Sequence, residues 1–141
     1  MTDLDALQRT LAAEHAAVYV MAALGGRASS LTAPTLRSAL ETAYGVHLRR
    51  RDELRTMISG QGADPVAAEP AYRLPDPLTS AAEITAEALR IEQGCATTYA
   101  ALVAAAAGDD RRWAVDALIA TAAGEPDFGG APQALPGLGH G

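Results

Sequence analysis

Apolar residues recur at steps of three and four in four separate runs of this 141-residue chain, a rhythm that requires amphipathic helices packed in a bundle. In the first run, expected over residues 3–24, Leu4, Leu7, Leu11, Val18 and Met21 share one face, and Gly25-Gly26 supplies a stop. The second is expected to be capped by Thr32 or Ser30, with Pro34 in its first turn. It carries Leu36, Leu40, Leu54 and Ile58 and ends near Ser59, before Gly60. The third starts at Thr79 or Ser80, where Glu83 completes a capping-box spacing from Ser80, and runs to about Ala107 with Ile84, Ile91, Cys95 and Leu102 inward. Gly108 breaks it, and Asp109 opens a shorter fourth helix containing Trp113, Leu118 and Ile119. The composition is 49% hydrophobic but only 4% aromatic, and alanine supplies much of the apolar fraction, so the helices must approach closely.

The links between these helices are short, long and short. Residues 60–77, rich in glycine and proline, form a connection far longer than most in a compact domain. Two helical hairpins joined by one long crossover define a ferritin-like four-helix bundle, and this all-α architecture is favoured over a simple up-down bundle with an idle insertion. The bundle is expected over residues 1–128, followed by a Gly/Pro-rich tail over 129–141.

The formal net charge is −6 at pH 7 and every basic residue but the histidines is arginine, which argues against a nucleic-acid partner. Cys95 is the only cysteine, so no internal disulfide forms. The acidic N-terminus is unlike a secretion signal, and the most apolar stretch, residues 16–25, is too short to span a bilayer. The expected setting is therefore cytoplasmic, away from membranes.

Polar residues stand where the helical rhythm reserves apolar ones. Glu14 fills the slot between Leu11 and Val18, and His47 lies seven residues from both Leu40 and Leu54. Tyr44 and Arg51 flank His47 one turn away on the same face, and Glu92 sits between Leu89 and Tyr99. A buried carboxylate without a partner costs several kcal/mol, on the order of a large fraction of a domain's stability. Folding the first hairpin about its short link puts Glu14 level with His47, and the crossover puts His47 level with Glu92. These three are candidate ligands for iron, manganese or zinc, with Tyr44 and Arg51 behind them. The same residues also suit a closed hydrogen-bonded network without metal, in which arginine neutralises the carboxylates. Glu125 is the corresponding position on the fourth helix, next to Pro126 at the helix end.

The segments LAAEHAAVY, AYGVHLRRRDEL, IEQGCATTYAALV and DDRRWAVDAL, with the closing FGGAPQALPGL, resemble an alanine-rich ferritin-like domain family of unknown function from high-GC bacteria. The resemblance implies the ferritin-like bundle and a homodimer, and brings no established activity. Di-iron bundles use a single Glu on two helices and a Glu-x-x-His on the other two. Glu14 and Glu92 suit the single positions, but the second helix reads Tyr44-Gly45-Val46-His47 and the fourth has no such motif, its nearest inner polar residue being Asp116. A complete di-iron site is not expected. Two readings stay open: a non-catalytic helical dimer, which is favoured, and a metal-binding protein with redox or hydrolytic chemistry at the reduced Glu/His site. Elsewhere, His15 is expected to be exposed, His140 to lie in the tail, and the run around Arg49, Arg50, Arg51 and Arg55 to be a solvated face. Cys95 reads as a small buried hydrophobe and Trp113 as a core anchor.

Overall fold

The computed structural model describes residues 1–29 and 31–130. Four helices follow in order, α1 (Asp3–Ala28), α2 (Pro34–Gly60), α3 (Ala81–Ala105) and α4 (Gly108–Gly124), and a 3-10 turn over Glu125–Phe128 closes the fold. No strand occurs among the described residues. Residues 131–141 of the expected tail, with His140, lie outside the described residues.

Two of the helix starts are closed by reciprocal capping boxes. The Thr2 hydroxyl accepts from the Asp5 N–H at 3.0 Å while the Asp5 carboxylate accepts from the Thr2 N–H at 3.1 Å. Ser80 and Glu83 do the same for α3, both backbone bonds being 3.1 Å. Ser80→Ala should therefore lower unfolding stability by about 1 kcal/mol, read as a shifted denaturant midpoint with an unchanged slope. At α2 the expected cap is corrected: Ala33 occupies the cap position without a side-chain bond, and Pro34 at the first helical position lacks the N–H that a cap would satisfy. Thr32 does not cap this helix, and Ser30 lies outside the described residues.

The first helix also runs past its expected stop. Gly25 and Gly26 are helical, and α1 continues to Ala28 because Leu24 and Ala28 are both buried in the core. Packing of that last turn outweighs a glycine penalty of about 1 kcal/mol per residue. By contrast, Gly108 is required where it stands: its φ of +59° lies in the left-handed region and lets α3 turn into α4 through Ala106-Ala107 alone.

The core has two apolar end layers, with a smaller cluster of Ala17, Cys95, Tyr99 and Ala117 between them. One joins Val20, Met21 and Leu24 of α1, Leu40 of α2, Ile84 and Ala88 of α3, and Phe128. The other joins Leu7 and Leu11, Leu54 and Ile58, Leu102, and Ala114 of α4. The end of α1 thus meets the starts of α2 and α3, while its start meets their ends and the start of α4. Accordingly α2 and α3 run parallel to each other and antiparallel to α1 and α4, and residues 61–80 must travel the length of the bundle.

That segment tracks α1 on the way. Gln8 donates to the Asp64 carbonyl and accepts from the Val66 N–H, both at 2.8 Å, and Tyr72 meets Tyr19 with ring centres 5.4 Å apart. Leu78 then enters the first end layer. The expectation for His15 is overturned here. It is only 3% exposed, and its Nε2 lies 2.9 Å from the Val66 carbonyl. A long loop crossing a helix needs partners for its backbone polar groups, and His15 supplies one.

A buried charge network as candidate functional site

Between the two apolar layers lies a polar one. Glu14 and His47 are fully buried, and Glu92 is 7% exposed. The 3–4 rhythm that places leucines inward elsewhere places these three inward at mid-bundle. His47 Nδ1 is 2.5 Å from Glu14 Oε2, and His47 Nε2 is 2.7 Å from Glu92 Oε1. One imidazole thus links two carboxylates carried by different helices. Burial disfavours its charged form, but the hydrogen bonds and charges of Glu14 and Glu92 outweigh that and push its pKa up to about 9. His47 is therefore an imidazolium at neutral pH, donating from both ring nitrogens.

The second oxygen of Glu14 accepts a short hydrogen bond from the Tyr99 hydroxyl. Burial is the main cause that raises the Tyr99 pKa well above its ordinary value, which keeps it a donor. Arg50 completes the layer. Its Nη1 donates to the Tyr99 hydroxyl at 3.0 Å and to Thr121 Oγ1 at 3.1 Å, and its guanidinium carbon stands 5.1 Å from the Tyr99 ring centre. Nη2 faces the Ala117 carbonyl at 3.5 Å. Formally, two carboxylates face two cations and the layer is neutral. Trp113 abuts the edge of Tyr99 at 5.9 Å and donates from Nε1 to Glu53 at 2.5 Å.

Three sequence expectations meet in this layer: Glu14, His47 and Glu92 do converge. The expected neighbours differ. Arg51 points away and pairs with Asp52 at 3.1 Å, while Arg50 turns inward. Tyr44 packs half-buried against the first end layer, and Tyr99 takes its place as the phenol of the network. On α4, Asp116 is exposed and Thr121 holds the inner position. Arg49 and Arg55 do belong to a solvated face, paired with Glu53 and Asp52. Glu125 is buried at the start of the closing turn. Cys95 is buried as expected, and burial pushes its thiol well above the ordinary range, with the charges of Glu14 and Glu92 adding to the effect. Ligand atoms of Glu14, His47 and Cys95 lie within 4.8 Å of one another, which is compatible with holding a metal ion. Both ring nitrogens of His47 are already committed to carboxylates, and the thiol is held protonated. No Glu-x-x-His pair is present. The residue set therefore does not fit a di-iron centre.

Fold and site together define a class: an all-helical four-helix bundle with a buried, formally neutral charge network at its centre. The chain belongs to the family described as a domain of unknown function (DUF4439), which matches residues 6–140. It is also similar to the crystal structure of a conserved hypothetical protein, rv2844, from Mycobacterium tuberculosis. That protein is 33% identical, superposes with a TM-score of 0.80, and the match covers 89% of this chain and 87% of the other. No curated protein matches the chain. Among the described residues no helix is long and apolar enough to cross a membrane.

Proposed function

We propose that this protein is a ferritin-like bundle whose central layer is a closed charge network in place of a metal centre, and that it serves as a non-catalytic helical module in a homodimer. The observation that carries this reading is the double hydrogen bonding of His47, at 2.5 Å to Glu14 and 2.7 Å to Glu92. A metal ligand needs an unprotonated ring nitrogen, and here each is turned to a carboxylate that prefers the proton in place. The parallel run of α2 and α3 and the crossover over residues 61–80 support the ferritin-like assignment. The homodimer is what the resemblance of its helical segments to the alanine-rich family implies. The single reduced thiol of Cys95 supports a cytoplasmic setting.

Elemental analysis of the purified, untagged protein after anaerobic loading with ferrous, manganous and zinc ions tests the central point. Background metal under every condition is the expected result. One metal or more per chain, lost in Glu14→Gln and in His47→Ala, would contradict it.

A second reading has one observation in its favour, the closeness of Glu14, His47 and Cys95 ligand atoms. In that reading, iron, manganese or zinc displaces the His47 proton and supports redox or hydrolytic chemistry. Soft thiolate ligation selects zinc over manganese, so the loading series also separates the metals.

A further inference from the structure

Helices α2 and α4 hardly touch, and Arg50 spans the gap between them, reaching from α2 to Thr121 and the Ala117 carbonyl on α4. The residues facing each other across it are small, Ala39 and Ala43 on α2 and Ala120 and Gly124 on α4, so their side chains leave the gap unfilled. What remains is a cleft of about 180 Å³, to which Val46 and Phe128 add apolar wall. A pocket of roughly 150 Å³ in a helical protein is enough to hold benzene. The cleft therefore has room for a ligand of about six heavy atoms.

Arg50 decides what such a ligand must carry. It is only 5% exposed, so water reaches little of it from outside. A guanidinium fork has five N–H donors and no acceptor. Here Nη1 gives its protons to the Tyr99 hydroxyl and to Thr121, and Nη2 turns one towards the Ala117 carbonyl at 3.5 Å. The Nε–H and the second Nη2 proton meet no acceptor among the described residues. Nε is not among the sealed side-chain atoms that lack a partner, so it borders open space, and the space that Arg50 lines is the cleft. Unmet donors on a buried cation call for an acceptor oxygen, because leaving them dry is costly.

Charge then selects among acceptors. Glu92 and Asp127 line the same cleft. Glu92 is paired with His47 in a layer that is formally neutral, and Asp127 is an exposed carboxylate at the cleft's edge. A carboxylate ligand would stand against both acidic residues, and a cation would stand against Arg50. A neutral acceptor meets neither penalty. Among neutral groups, an amide offers a carbonyl oxygen to the guanidinium and N–H protons to the acidic side of the cleft.

We infer that the cleft between α2 and α4 binds a small neutral amide, its carbonyl oxygen on the Arg50 guanidinium and its alkyl chain against Ala39, Val46 and Phe128. The inference goes beyond the proposed function and rests on it in one respect, that the layer behind Arg50 is a closed network without metal.

The test is a backbone NMR titration of the full chain with butyramide as probe and with sodium butyrate and butylammonium chloride as controls. Saturable shifts clustered around Ala39, Val46, Ala120 and Phe128 are expected for butyramide, with a Kd on the order of millimolar for so small a ligand. Either charged control should bind at least about tenfold more weakly. Arg50→Lys, which keeps a charge but loses the planar fork, should weaken butyramide binding by about tenfold or more. Ala120→Leu narrows the cleft from an exposed position and leaves the buried layer untouched, so it should cause a similar loss even if the Arg50 variant fails to fold. Butyrate or butylammonium saturating the same backbone signals as tightly as butyramide would overturn the inference. So would butyramide shifts that never saturate, or that persist at full affinity in Ala120→Leu or in a folded Arg50→Lys. Metal content is measured on the same samples, so metal at Glu14 and His47 would sink the proposed function without being mistaken for a failed amide site.

Discussion

Replacing His47 with alanine should destabilise the protein by about 3–5 kcal/mol, the range seen when one partner of a buried ion pair is removed and the other is left uncompensated. Here the loss falls on two carboxylates at once. Glu14 is fully buried and retains only the Tyr99 hydroxyl, and Glu92 is left with no hydrogen bond among the described residues. Domains of this size have a total stability of roughly 5–15 kcal/mol, so the variant sits close to unfolding. In thermal melts the midpoint should fall by on the order of 10 °C. A drop of only a degree or two would mean that Glu14 and Glu92 find other partners and that His47 does not hold the layer together. His47→Gln, whose amide nitrogen can donate but carries no positive charge, should fall between the native protein and the alanine variant.

Raising the pH should produce the second largest effect. The pKa of His47 is pushed up to about 9 in the folded protein from an ordinary value of 6.5. A group whose pKa is raised on folding stabilises fully below its unfolded pKa, and that stabilisation is lost as pH climbs through the folded one. The contribution is therefore complete below about pH 6.5, declines between there and about pH 9, and is gone above, a loss on the order of 3 kcal/mol. The same series run on His47→Ala subtracts whatever other groups titrate in this window. Urea midpoints across it should fall steadily in the native protein and stay nearly flat in His47→Ala. A native profile as flat as the variant's would show that His47 is not an imidazolium in the fold.

The three central residues were legible in the sequence for a simple reason. Glu14, His47 and Glu92 each interrupt an apolar stripe, and a charged residue in such a slot has to find a partner. Arg50 was legible in principle too: Leu40, Ala43, His47, Arg50 and Leu54 step by three, four, three and four, and all are buried. Arg51 stands one turn from His47 as well, and periodicity alone does not separate the two. What decides is that Arg50 faces the gap towards α4, where Tyr99, Thr121 and the Ala117 carbonyl wait. His15 could not be read in this way. Its burial depends on where residues 61–80 lie against α1, a long-range contact that no local pattern encodes. Gly25-Gly26 misled for the opposite reason, a strong local stop signal overruled by the packing of Leu24 and Ala28.

The protonation of His47 itself is the most direct test of the central claim. In nitrogen-15 NMR spectra of the imidazole near neutral pH, the network predicts two protonated ring nitrogens, with both N–H protons protected from exchange. Adding zinc should leave these signals unchanged. A single unprotonated ring nitrogen would contradict the account, and a His47 signal that shifts as one zinc per chain is taken up would turn the layer into a metal site.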